Sequence, residues 1–422
     1  MNLMPLEKLG THELPGNKVQ FGLYLPWISA KDGNRLWVKV IHEKDQFLQN
    51  VRPRLFELTH SSDPVYSDLW SGEFSIDPAE KQHPASAWGE PGRYVYRFML
   101  RSPLVPYEID WIVDPFAREF GTGKLSAFTL GYQQYAWSDS EANWKTPKLN
   151  DLVIYELMLS EFGGSIDGAI EKLGYLADLG INCLEIMPVS NVSNTIDWGF
   201  LPIGYFGVDE RFGKRYDMQR LVDEAHKRGI AVIFDAVYGH TDWNFPYVHV
   251  YRELKYRENP FMGSFSKDYF GESTDYNRQI TRDFFYTVNY HWLECYHADG
   301  FRYDCVPNYY DGATGIGYAN LLYTTFQTVK EKMEQDGGYW RRFRNNGDIT
   351  LIQCAEQLEG PEEIVSMTYS NCTWQNATLG AAEHVAHGSR DAVTDLGFRL
   401  GLTGFPEIVQ HNGDILPKSA LH

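Results

Sequence analysis

The segment GFRYDC (300–305) sets an arginine and an aspartate two residues apart inside an otherwise apolar run. Two further apolar runs end in the same way, IAVIFDAV (230–237) with Asp235 and ITLIQCAE (349–356) with Glu356. A charge kept from water is costly unless it is paired, so each of these residues needs a reason to be there. If all three runs are strands, side chains two apart share a face, and Arg302 lies beside Asp304. Carboxyl groups gathered at strand ends can serve as nucleophile, acid or base. Any one of them could equally be a satisfied structural group. Three consecutive strands that end in carboxylates are harder to explain that way.

The elements that must position these residues are legible from residue 151 onward. DLVIYELM (151–158) and INCLEIM (181–187) read as two strands that precede IAVIFDAV. Between strands, Ile166, Ile170, Leu173 and Ala177 mark one helical face that stops at Gly180. Met218, Leu221, Val222 and Ala225 mark a second face, stopped by Gly229, and Ile280, Phe284, Val288 and Cys295 a third. A further helical stretch falls near 316–335. Strands alternating with helices at this spacing predict a parallel α/β sheet, and apolar runs without alternation predict that both of its faces are covered. In a (β/α)8 TIM barrel, chemistry gathers at the C-terminal ends of the strands, where Asp235, His240, Arg302, Asp304 and Glu356 all fall.

DAVYGH (235–240), GFRYD (300–304) and CAE (354–356) together resemble the α-amylase family of retaining glycosidases and transglycosidases. VIYELM, EIMPV and the stretch DWGFLPIGYFGVDERFGKRYDMQRLVDEAHKRGI (197–230) support the resemblance, which covers about 120–410. It implies Asp304 as nucleophile and Glu356 as acid/base, about 5–5.5 Å apart for retention. Arg302 would orient Asp304, His240 would bond a sugar hydroxyl, and Asp235 would order that corner, although a scaffold role for Asp235 is equally open. Trp198 and Phe200 would offer a sugar platform or pack as a lid. The family normally has tyrosine where Phe200 stands. Gly239, where amylases usually carry asparagine, resembles the branching, debranching and trehalose-releasing enzymes. It also lacks the oxygen a calcium site would use, so neither metal nor cofactor is expected.

Residues 18–118 show short alternating segments between Gly/Pro turns, the pattern of an immunoglobulin-like β-sandwich. The expected domains are a glycan-binding-like sandwich over 1–130, a linker without period over 131–150, and the barrel over 151–422. The loop 241–279 after strand three holds ten aromatics, half or more of which should form its own small core. The family's third carboxylate is not found, and His411 and Asp414 are the nearest candidates. SALH (419–422) reads as the start of strand seven, so the barrel is expected to be incomplete at its C-terminal side.

A formal charge of −18 argues against nucleic acid and anionic membranes as partners and suits a neutral substrate, which the family resemblance implies to be an α-glucan or maltooligosaccharide. Five cysteines without C-x-x-C spacing, and no apolar leader or spanning run, read as a cytoplasmic protein. The expected function is an α-glucan-active enzyme of branching type, with debranching or trehalose release as alternatives. A glucan-binding protein without catalysis is the alternative from another class.

Overall fold

Alternation in the first 130 residues becomes strands with one buried face. In Arg35–His42, Leu36, Val38 and Val40 are fully buried while Trp37 and Lys39 turn outward. The computed structural model, which describes residues 1–194, 198–266, 270–335, 338–374, 376–401 and 408–418, joins nine such strands into one antiparallel sheet. Arg54–Ser61 pairs with Arg35–His42 on one side and Leu69–Ser75 on the other. The sheet folds over there, and Phe21 meets the rings of Tyr96 and Phe128 at 5.2 and 5.8 Å. The result is a sandwich.

The second layer system is a parallel sheet whose strands follow one another in chain order. They are Ile154–Leu157, Cys183–Ile186, Ala231–Ala236, Gly300–Tyr303, Ile352–Glu356 and Cys372–Trp374, hereafter barrel strands one to six. They are the first six strands of a (β/α)8 barrel, and the sheet is open at strands one and six among the described residues. Residues 419–422, read as the start of strand seven, lie outside the described residues. Cys183, Ala231, Ile233, Ile352, Cys354 and Cys372 pack into the interior. Gly300 is required where strands four and five approach, because a Cβ there would lie 1.9 Å from the carbonyl oxygen of Ile352.

The expected helices form. Ile166–Asp178 starts from a Ser165 cap that accepts the Gly168 N–H at 3.2 Å. Arg215–His226 buries Met218, Leu221, Val222 and Ala225, and Gln279–Cys295 and Tyr318–Gln335 cover the later strands. Strand six, implied by the reading of SALH as strand seven, was not located in the sequence and is Cys372–Trp374. In the loop 241–279, Phe245, Tyr247, Tyr251, Phe261 and Tyr276 are buried, whereas Trp243 and Phe270 are exposed.

Sandwich and barrel share one continuous apolar core. Phe116 packs on Phe206 and Phe284, and the Lys124 ammonium meets both oxygens of the buried Asp209 at 2.7 and 2.8 Å. The first residues close the seam: the Asn2 N–H donates to Asp283 and the Met4 N–H to Thr287.

Residues 131–150 have no period because they form short 3-10 turns, Asp139–Asn143 and Leu149–Asp151. They lie across the N-terminal ends of the barrel strands. Glu141, buried there, is bonded by His226 Nδ1 at 2.8 Å and His297 Nδ1 at 2.6 Å. Nε2 of His226 faces Asp299 at 2.9 Å, and Trp144 stacks on the His226 ring at 4.3 Å. Trp144 Nε1 and the Thr146 hydroxyl also donate to Asp299. Among the described residues, no helix is long and apolar enough to cross a membrane.

Candidate active site

Barrel pairing sets Asp235 on strand three opposite Arg302 on strand four, and Asp304 follows two residues later on the same face. Arg302 Nη1 donates to both oxygens of Asp235, at 2.8 and 2.9 Å, and to Asp304 Oδ1 at 2.9 Å. Its Nη2 lies 3.2 Å from Glu356 Oε2, and its guanidinium carbon sits 4.1 Å from the ring centroid of Trp374 on strand six. One buried guanidinium therefore holds three carboxylates from three strands.

The backbone adds a further clamp. Cys305, directly after Asp304, takes a left-handed conformation (φ 44°, ψ 54°) that is unusual for a side-chain-bearing residue. Its N–H thereby reaches Glu356 Oε2 at 2.6 Å. The turn that ends strand four thus fixes the carboxyl at the end of strand five.

The electrostatics follow from three acids around one base. Burial pushes the Asp304 carboxyl up to about 6; Arg302 opposes the rise and the neighbouring Glu356 adds to it. Burial also raises Asp235 well above the usual carboxylate range, against the pull of Arg302, and the charges of Asp304 and Glu185 push the same way. The guanidinium draws Asp304 down but does not fully offset desolvation, and Asp304 still ionises near neutral pH.

His240 lies beside this cluster on the loop after strand three. Burial lowers its basicity, and Nε2 contacts the carbonyl of Phe200 at 2.8 Å. A neutral ring that donates there keeps Nδ1 as an acceptor, and Nδ1 is buried with no partner among the described residues. Phe200 thus contributes its backbone carbonyl, with its ring half-buried. Trp198 is 56% exposed, in a left-handed conformation (φ 59°), and forms no hydrogen bond or ring contact with the four charged residues. Asp235, at 1% side-chain exposure, is paired with Arg302.

Asp414 is not a third carboxylate of this cluster. It accepts from Lys330 at 2.5 Å, Gln327 at 2.7 Å and Tyr369 at 3.0 Å, which pins it to the outer helix Tyr318–Gln335. His411 lies on the same hairpin, Ile408–His411 with Asp414–Pro417, against Tyr369. Three contributors escaped the sequence reading: the Cys305 amide, Trp374, and Asn308, whose buried amide group has no protein partner and packs where a Gly239 side chain would stand. The glycine at 239 was the available signal for the last.

An antiparallel sandwich precedes a parallel barrel that carries its acids and one arginine at the C-terminal strand ends, the face where barrel enzymes do their chemistry. Residues 117–340, just over half of the chain, match the model of the alpha amylase catalytic domain, and the chain belongs to the α-amylase family. It is 33% identical over 200 residues to the malto-oligosyltrehalose trehalohydrolase of Saccharolobus solfataricus, covering 46% of this chain and 34% of that protein. The Rhizobium sp. (strain M-11) protein of the same name is 37% identical over 214 residues, covering 50% and 34%. The 1,4-alpha-glucan branching enzyme GlgB of Bacillus cytotoxicus is 29% identical over 237 residues, covering 51% and 35%. The matched part thus spans about a third of these relatives' length. In fold, an alpha-amylase candidate from Salmonella typhimurium superposes with TM-score 0.65 at 18% identity over 98% of this chain and 63% of its own.

Proposed function

We propose that the chain supplies the catalytic acids of a retaining, α-glucan-active enzyme that releases trehalose from maltooligosyl ends. The observation that carries the retaining chemistry is the shared grip of Arg302 on Asp304 and Glu356, which keeps two carboxyls within one guanidinium's reach. Asp304 attacks the anomeric carbon and forms a glycosyl ester, while Glu356 protonates the departing oxygen and then draws the proton from water. His240 Nδ1 accepts a hydrogen bond from a sugar hydroxyl, and Trp198 and the Phe200 ring offer a stacking surface. The buried Arg302 keeps the acids in place through the cycle.

Trehalose release is preferred to the branching expected from sequence because relatives of that name match at 31–37% identity, against 29% for the branching enzyme. Product analysis tests it: trehalose should accumulate from maltooligosyltrehalose without branched glucan. New α-1,6 linkages in amylose would return the branching reading. For the roles of the acids, Glu356→Gln should cripple glucan cleavage yet spare substrates with good leaving groups, which need little protonation. Equal loss on both substrate types would remove Glu356 from the acid role.

A further inference from the structure

A cavity of about 240 Å³ opens at the seam between sandwich and barrel, away from the strand-end acids, lined among others by Glu119, Thr129, Tyr132, Gln133, Arg215 and Tyr216. Two of its groups lack the partners that buried charges normally have. Arg215 makes no hydrogen bond to the described residues; its Nε is buried and unpartnered, and its guanidinium lies over the Tyr132 ring at 4.7 Å. Glu119 is 7% exposed and accepts one hydrogen bond, from the Thr129 hydroxyl at 2.7 Å. The two form no ion pair with each other, although each feels the other's charge. Arg93, on the same wall, is already held by Glu43 at 2.8 and 2.9 Å and by the Phe120 carbonyl at 3.0 Å.

We infer that this seam cavity is a second binding site for a neutral polyol, a single glucosyl ring at the end of an α-glucan. A guanidinium with unused donors across from a carboxylate with unused acceptor positions complements vicinal hydroxyls, each of which both donates and accepts. An anion would be drawn by Arg215 and by Lys214, which also lines the cavity, but would meet Glu119 and the nearby Glu13 carboxyl. A cation would meet Arg215. The aromatic walls supply what a sugar face needs: Tyr132 is anchored through its hydroxyl to Gln219 at 3.2 Å, and Tyr216, 46% exposed at the rim, is braced edge-on by Tyr135 at 4.9 Å. The volume lies below the roughly 300 Å³ at which drug-sized pockets begin, which suits one ring and not a helical chain. The polyol class follows from the cavity; the choice of glucose rests on the function proposed above.

Labelling with 3-fluorotyrosine tests the site directly, with the Tyr216 resonance assigned by its loss in Tyr216→Phe. Maltose should shift that resonance saturably in the full chain and equally in Asp304→Asn, which separates seam from active site. Arg215→Met and the isosteric Glu119→Gln should each raise the midpoint fivefold or more, with circular dichroism confirming the fold. Glu119→Gln serves as the readout should Arg215→Met not fold. A resonance that ignores maltose, or that responds to inorganic phosphate instead, overturns the inference. A Tyr216 response in a chain that never cleaves glucan would sink the proposed function and leave the polyol site standing.

Discussion

At the C-terminal ends of the barrel strands three carboxylates, Asp235, Asp304 and Glu356, surround a single guanidinium; at the N-terminal ends one imidazole, His226, lies between the two carboxylates Glu141 and Asp299. Both clusters are buried, and they titrate in opposite directions. Asp235 and Asp304 are pushed up, whereas Glu141 is drawn down to about 2 and Asp299 is lowered as well. His226 rises to about 9 although burial opposes it, because two carboxylates and two hydrogen bonds act on it. His297, which shares Glu141, goes down instead, chiefly because burial disfavours its charged form, with Arg342 and His226 adding to the fall. The lower cluster is balanced and serves stability. The upper one keeps an excess of acid that costs stability and is available to a substrate.

The comparison breaks if neutralising an upper acid does not separate activity from stability. Asp304→Asn should reduce turnover by roughly three orders of magnitude or more, since no other group forms the ester. It should at the same time stabilise the fold by about 1–2 kcal/mol, because each pKa unit of destabilised charge is worth about 1.4 kcal/mol. Urea titration of the variant checks the second half, and a lower midpoint would mean that the upper cluster is balanced after all.

At the lower end, His226→Gln should cost about 3–5 kcal/mol by leaving Glu141 and Asp299 without their cation. Catalysis per folded molecule should be unchanged. The wild-type contribution has a defined pH window. His226 is raised above its unfolded value of 6.5, so its stabilisation is complete below about pH 6.5 and is lost as pH rises through about 9. The slope should approach about 1.4 kcal/mol per pH unit within that window and vanish in His226→Gln. The groups that set it are Glu141 in the turn Asp139–Asn143, Asp299 before strand four, and His297 and Arg342 beside them.

The smallest effect concerns Asp414. Held by Lys330 and Gln327, Asp414→Asn should cost about 1 kcal/mol or less and leave turnover intact. A collapse of turnover with unchanged stability would restore Asp414 to the catalytic set.

Much of the upper cluster was legible because charge inside an apolar run breaks the local pattern, as at Arg302 and Asp304. The lower cluster was invisible for the opposite reason. Glu141 and His226 stand among polar neighbours, Asp299 is a single acid between Ala298 and Gly300, and 3-10 turns give residues 131–150 no period to read. Strand six, CTW, has three residues, too few for any pattern to declare itself. The helices were readable because Met218, Leu221, Val222 and Ala225 recur at the spacing that buries one face. Which parts of the loop 241–279 would be buried was not readable, since aromatic content alone does not tell a small core from an exposed surface.

The docking of Asn2 and Met4 on Asp283 and Thr287 has a consequence during synthesis. The first residues leave the ribosome some 280 residues before their partners do, an interval of roughly 15–60 s at bacterial or eukaryotic elongation rates. Until then Met4, buried in the finished protein, lacks the surface that holds it. The segment around Asn2 and Met4 is therefore a late-closing latch, and chaperones that hold nascent chains would find it open until the helix Gln279–Cys295 has been made.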